Sequence, residues 1–126
     1  MTWTRSMLAV SALWLIGATL VSAQDPPAKN PLEGNATAIQ AGMGVFRARC
    51  AECHGMDAKG VRAPDITQVW SSGRTDPGLF RTIKEGVPNT EMPANPRVQD
   101  HEAWQILAYL KTLATPAPTE PPRGNA

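Results

Sequence analysis

The chain has 126 residues, a formal net charge of +1, 12 prolines and 10 glycines, and only 6% aromatic residues. This length fits one domain, and the composition favours short helices and loops over a sheet. The sequence has no basic run or basic patch interleaved with aromatic residues, which excludes a nucleic-acid-binding protein, and its two cysteines are too few for a disulfide framework.

The first 23 residues have the pattern of an export signal. Arg5 precedes an apolar stretch, and the small residues of Val21-Ser22-Ala23 suit cleavage before Gln24. The sequence therefore predicts an exported, periplasmic protein that begins at Gln24. A retained membrane anchor stays open as the alternative, because residues 6–24 are uncharged and nearly as long as the roughly 20 residues of a spanning helix.

Two proline-rich segments flank the part of the chain that is predicted to fold. Residues 24–34 contain three prolines and are predicted to form a linker. Residues 116–126 contain four prolines and are predicted to form a disordered tail. The folded domain is therefore predicted at residues 35–115.

The first helix of this domain is predicted over residues 37–53. Apolar residues spaced by three and four, Met43 and Phe46 among them, share one face of it. Asn35 or Thr37 can cap its first turn.

The predicted helix ends in the pattern C-x-x-C-H, formed by Cys50, Cys53 and His54. Two thiols on one helical turn can each bond to a vinyl group of one porphyrin, and the histidine that follows presents an imidazole nitrogen to its iron. The motif therefore predicts one covalently bound haem c, with His54 as the proximal ligand.

Three other interpretations of these residues fit the sequence less well. A Cys50–Cys53 disulfide leaves His54 without a role. A thioredoxin-like pair needs a strand–helix context, which the sequence lacks. A zinc site built from Cys50, Cys53, His54 and His101 does not have the paired spacing of known zinc motifs.

Two further helices are predicted downstream. One covers residues 77–85, with Asp76 as its N-cap and Gly86 placed to end it. The other covers residues 100–113 and carries an apolar face along its length.

The stretches 55–75 and 86–99 are predicted to be irregular, and the sequence contains no strand of useful length. Long loops in a small domain need something to pack against. The predicted fold class is therefore all-α, with three main helices and long loops wrapped around one bound haem.

Further residues surround the C-x-x-C-H motif in a fixed order. They are Gly42 and Phe46 before it, then Pro64, Met92-Pro93 and Tyr109-Leu110 after it. With this ordered set, residues 36–114 resemble the small monohaem class I c-type cytochromes, and in particular the cytochrome c domains of bacterial respiratory dehydrogenases.

The resemblance implies a role for each of these residues. Gly42 would let the last helix cross close to the first. The Pro64 carbonyl would accept a hydrogen bond from His54, although Ala63-Pro64-Asp65-Ile66 departs from the family's usual Gly-Pro-Asn-Leu. Met92 would be the distal ligand of the iron.

Other residues are weaker candidates than Met92 for the distal ligand. Met43 lies on the apolar face of the first helix, where packing explains it. Met56 follows His54 too closely to reach the opposite face of the same iron. His101 stays open as an alternative that would give two imidazole ligands, and an open coordination position is a further alternative.

Ligation by His54 and Met92 implies one-electron transfer and not enzyme catalysis, because both axial positions are filled. The resemblance implies a carrier, or the electron-accepting subunit of a dehydrogenase. Its partners would be redox proteins such as a dehydrogenase, an oxidase or another cytochrome. The alternative is a haem enzyme of the peroxidase kind, or a ligand-binding haem protein, with an open iron site.

Overall fold

The computed structural model describes residues 24–114 and Pro116, and this part of the chain forms four helices. They are α1 (Ala36–Arg49), α2 (Ala51–His54), α3 (Asp76–Glu85) and α4 (Asp100–Leu113). The described residues contain no strand, and the all-α prediction is confirmed. The predicted signal, residues 1–23, lies outside the described residues, as does the predicted tail apart from Pro116.

Within the described part of the chain, the structure has no helix with the length and apolar character needed to cross a membrane.

The first predicted helix is two helices in the structure. Asn35 caps α1, since its side chain accepts a hydrogen bond of 2.9 Å from the Ala38 N–H. The prediction of one continuous helix to residue 53 is wrong, because Cys50 adopts φ −117° and ψ −31° and ends α1. The short helix α2 then places His54 at its C-terminal end.

The second predicted helix begins one residue earlier than expected. Thr75, and not Asp76, is the N-cap of α3, and its side chain accepts from the Gly78 N–H. Asp76 is the first helical residue, and its carboxylate is buried against other elements. Gly86 ends α3 as predicted, with φ +74°.

The third predicted helix, α4, has the predicted bounds. Its N-cap is Gln99, whose backbone N–H donates to the Glu102 carboxylate at 2.8 Å, as in a capping box. Its buried residues include Ile106 and Leu107, which are each only 1% exposed. This helix is therefore the centre of the core.

The helices α1 and α4 cross in direct backbone contact at Gly42. A Cβ atom at this position would lie 1.9 Å from the carbonyl oxygen of Gln105 and 2.8 Å from the nitrogen of Ile106. Next to the crossing, the rings of Phe46 and Tyr109 pack with their centroids 5.6 Å apart. Only glycine permits this approach, as the resemblance implied.

The segment before α1 also packs on the domain. Asn30 is buried; its side-chain amide donates to the Trp104 carbonyl at 2.9 Å, and its backbone N–H donates to the Asp76 carboxylate at 2.8 Å. Leu32 packs against the core. The folded part therefore begins near Asn30, inside the stretch that was predicted to be a linker.

Asp76 is the centre of a buried polar cluster. Besides Asn30, the indole N–H of Trp70 donates to its carboxylate at 2.6 Å, and the Lys111 ammonium lies 3.6 Å from it and 4.5 Å from the centroid of the Trp70 ring. Burial alone would raise the pKa of Asp76, but these hydrogen bonds and the Lys111 charge outweigh it and hold the pKa below its ordinary value. Asp76 is therefore ionised at neutral pH.

The Asp76 cluster predicts how stability depends on pH. Because the pKa is lowered in the folded state, the contribution of Asp76 is complete above its unfolded pKa and is lost as pH falls through the folded pKa. Asp76→Asn should lower the free energy of unfolding by about 1–3 kcal/mol at pH 7, and the difference from wild type should narrow below about pH 4. Denaturant unfolding of the holoprotein at several pH values measures this. Asp25→Asn, at an exposed carboxylate, is the control and should have little effect.

The helix crossing gives a second prediction with a matched control in the same helix. Gly42→Ala should lower the free energy of unfolding by at least about 3 kcal/mol, or prevent folding, because the backbones must separate. Gly44 has no atom within 4 Å of an added Cβ. Gly44→Ala should therefore stabilise the protein by about 0.5–1 kcal/mol, and equal effects of the two changes would contradict the crossing.

Candidate cofactor site

The described part of the chain contains a cavity of about 400 Å³, within the range of about 300–1,000 Å³ that small-molecule sites occupy. It lies among α3, α4 and the loops that follow α2 and α3. Its walls are mostly apolar. Among the residues that form them are Val69, Leu79, Ile83, Val87, Leu107 and Leu110.

His54 lines this cavity from the end of α2. Its Nδ1 atom is buried and has no hydrogen-bond partner among the described residues. A buried nitrogen without a partner is rare in a folded protein and needs a functional explanation.

The loop after His54 folds back onto the motif. The backbone N–H groups of Val61, Arg62 and Ala63 all donate to the Cys53 carbonyl, at 3.0, 3.0 and 3.1 Å. Gly60, with φ +94°, donates to the His54 carbonyl at 2.7 Å. This loop holds the end of the motif against the cavity.

The two cysteines are free and half-buried. Burial raises the pKa of the Cys50 thiol to about 11; Arg49 opposes this shift and Cys53 adds to it. The Cys50 thiol is therefore protonated at neutral pH, whereas a thioredoxin-like dithiol needs a lowered pKa. The Cys53 sulfur accepts a hydrogen bond of 3.3 Å from Arg62.

Met92 lines the same cavity as His54, from the loop between α3 and α4. Among the methionines in the described residues it is the only one that does so. Met43 packs against the core, and Met56 is 57% exposed. His101 is exposed on the first turn of α4 and is not part of the cavity wall.

Pro64 also lies in the cavity wall. The hydrogen bond that was expected between His54 and the Pro64 carbonyl is not seen in this structure. Nδ1 of His54 has no partner among the described residues. Pro64 belongs to the sequence Ala63-Pro64-Asp65-Ile66, which departs from the family's usual pattern.

A zinc site is not assembled in the structure. In the part of the chain that the structure describes, no three His, Cys, Asp or Glu side chains come together in a way that could hold a metal ion.

Several residues of the cavity wall were not predicted from the sequence. Leu79 and Ile83 of α3 are four residues apart and so share a face, a signal that the sequence contains. Leu107 and Leu110 belong to the apolar face predicted for α4, and they line the cavity as well as the core. Trp70 comes from a loop, and no periodic pattern marks it.

The site fits a haem. It combines mostly apolar walls with an imidazole and a thioether on the same cavity. Imidazole and thioether are a known pair of axial ligands for haem iron. The two free cysteines adjoin the imidazole in sequence, as thioether attachment requires.

Comparison with known proteins gives a consistent result. The family described as "Cytochrome C oxidase, cbb3-type, subunit III" matches residues 37–110. The cbb3-type cytochrome c oxidase subunit FixP of Rhizobium meliloti is 36% identical over 83 residues, which cover 60% of this chain and 27% of FixP. Cytochrome c-L of Methylorubrum extorquens is 31% identical over 80 residues, which cover 61% of this chain and 41% of that protein.

The fold is also that of a solved cytochrome. Cytochrome cL from Methylophaga aminisulfidivorans superposes with a TM-score of 0.62 at 23% identity, over 77% of this chain and 72% of that one. The chain thus spans less than half the length of each of the two sequence relatives but most of this solved structure. Because the family matches more than half of the residues, the chain belongs to this family of c-type cytochromes, with the class I monohaem fold and covalently bound haem c.

Proposed function

We propose that this protein transfers single electrons through one haem c, with His54 and Met92 as the axial ligands. The observation that supports this most directly is that one apolar cavity has both an imidazole and a thioether side chain on its wall. Haem c, when bound, supplies an iron that gains or loses one electron.

Cys50 and Cys53 form the two thioether bonds in this proposal. They lie at the end of α1 and within α2. These bonds would hold the haem at the end of α1. His54 follows directly in sequence and would be the proximal ligand of the iron, while Pro64 contributes to the cavity wall.

In this proposal, Met92 affects the reduction potential and the access of external ligands to the iron. Its thioether is a soft donor that favours ferrous iron, so it raises the reduction potential relative to two imidazoles. With His54 and Met92 both bound, no coordination position is free for a substrate, which disfavours the peroxidase-like alternative. The apolar side chains around them limit the access of water.

The proposed location is the periplasm, after removal of residues 1–23. The proposed partners are redox proteins, either an oxidase or a dehydrogenase. The similarity to FixP, a cbb3-type oxidase subunit, supports the first, and the resemblance to dehydrogenase cytochrome domains supports the second. The protein acts as a free carrier or as a subunit of such a complex.

The test of this proposal replaces the distal ligand. Met92→Ala should abolish the thioether-to-ferric charge-transfer band, lower the reduction potential and allow the ferrous protein to bind carbon monoxide rapidly. Absorbance spectra, redox titration and stopped-flow mixing measure these three properties.

Met43→Leu is the control, since Met43 packs against the core and does not line the cavity. It should leave all three properties close to those of the wild type. An unchanged charge-transfer band in the Met92 variant would assign the distal position to another residue. Rapid carbon monoxide binding by the wild type would favour the open iron site.

A further inference from the structure

The loop that carries Met92 returns to the end of α3. The last carbonyl groups of a helix have no partner within it. Asn95 provides partners for two of them: its backbone N–H donates to the Lys84 carbonyl at 3.0 Å, and its side-chain Nδ2 donates to the Ile83 carbonyl at 3.1 Å. Asn95 therefore caps α3 from a point well beyond it in the sequence.

The same side chain also holds the residue that follows Met92. Nδ2 of Asn95 donates to the Pro93 carbonyl at 3.1 Å. An amide nitrogen has two hydrogens, and here each has a carbonyl acceptor. One half-buried amide group thus joins the last turn of α3 to the backbone directly after Met92.

Gly86 allows the end of α3 to come into direct contact with the backbone around Met92. A Cβ atom there would lie 2.7 Å from the Met92 carbonyl oxygen and 2.6 Å from the Ala94 nitrogen. The Val87 N–H donates to the same Met92 carbonyl at 3.1 Å. The backbone of Met92 is therefore held directly against the end of α3.

We propose that Asn95 is a positioning residue for the Met92 thioether. It tethers the chain after Met92 to the end of α3 and so keeps the thioether at the cavity wall. This inference rests on the proposed role of Met92 as the distal ligand. When the tether is lost, the loop moves away more often, and the sixth coordination position becomes accessible to external ligands.

Asn95→Asp tests the tether, and Asn89→Asp is a matched control. A carboxylate at position 95 cannot donate, and it would face the carbonyl oxygens of Ile83 and Pro93. Asn89 lies in the same loop and is exposed, and its side chain makes no hydrogen bond to other described residues. Its φ of +59° is one that aspartate also adopts. Both variants therefore add the same charge to the loop, and only one removes hydrogen bonds.

The measurement is carbon monoxide binding to the ferrous holoprotein, together with the thioether-to-ferric charge-transfer band. Asn95→Asp should speed binding about tenfold or more, as expected from the loss of two hydrogen bonds, and should weaken the band. Asn89→Asp should stay within about twofold of wild type, as is usual for surface changes. If Asn95→Asp does not accumulate as holoprotein, Asn95→Ser retains one donor and should give a smaller increase.

The outcomes separate this inference from the proposed function. If Met92→Ala leaves the band unchanged, the assignment of the distal ligand is wrong. If Met92→Ala abolishes the band but the Asn95 variants leave the band and the binding rate as in wild type, only the positioning role is overturned. A lower unfolding free energy with an unchanged band would also overturn it, since Asn95 would then support the fold alone.

Discussion

The structure depends on the close contact between α1 and α4 at Gly42. An added Cβ would fall 1.9 Å from a carbonyl oxygen of α4, so the two backbones touch. This contact fixes the end of α1, where the C-x-x-C-H motif begins, relative to α4. Leu107 and Leu110 of α4 belong to the core and also line the cavity. The position of the motif beside the cavity therefore depends on the close helix contact that Gly42 allows.

Besides α3 and α4, the cavity wall is made by loops that have little regular structure. The loop after α2 is held by backbone hydrogen bonds to the carbonyls of Cys53 and His54, and the loop that carries Met92 is held by Gly86 and Asn95. Backbone groups in such loops must find partners when they are not exposed to water. Here those partners are the ends of helices, whose own groups are otherwise free. The same hydrogen bonds thus complete the helices and place the two proposed ligands.

The sequence was sufficient to predict the parts that depend on local patterns. The bounds of α4 and the end of α3 at Gly86 follow from periodicity and cap residues. The break at Cys50 was not predictable, because no local signal interrupts the helical pattern there. The packing of Asn30 was also missed, since its partners lie 46 and 74 residues away and the prolines around it suggest a linker. The C-x-x-C-H motif predicted a site at His54, and His54 lines the cavity. The contacts of Pro64 depend on the conformation of a loop, which no local pattern in the sequence predicts.

The most direct test of the account is the NMR spectrum of the reduced holoprotein labelled with ¹³C at its methionine methyl groups. Residues 24–126 contain three methionines, Met43, Met56 and Met92. If Met92 is the distal ligand, one methyl resonance is shifted strongly upfield by the porphyrin ring current, and this resonance belongs to Met92. Three methyl groups at ordinary positions, or a shifted resonance that belongs to Met43 or Met56, would contradict the proposed ligation.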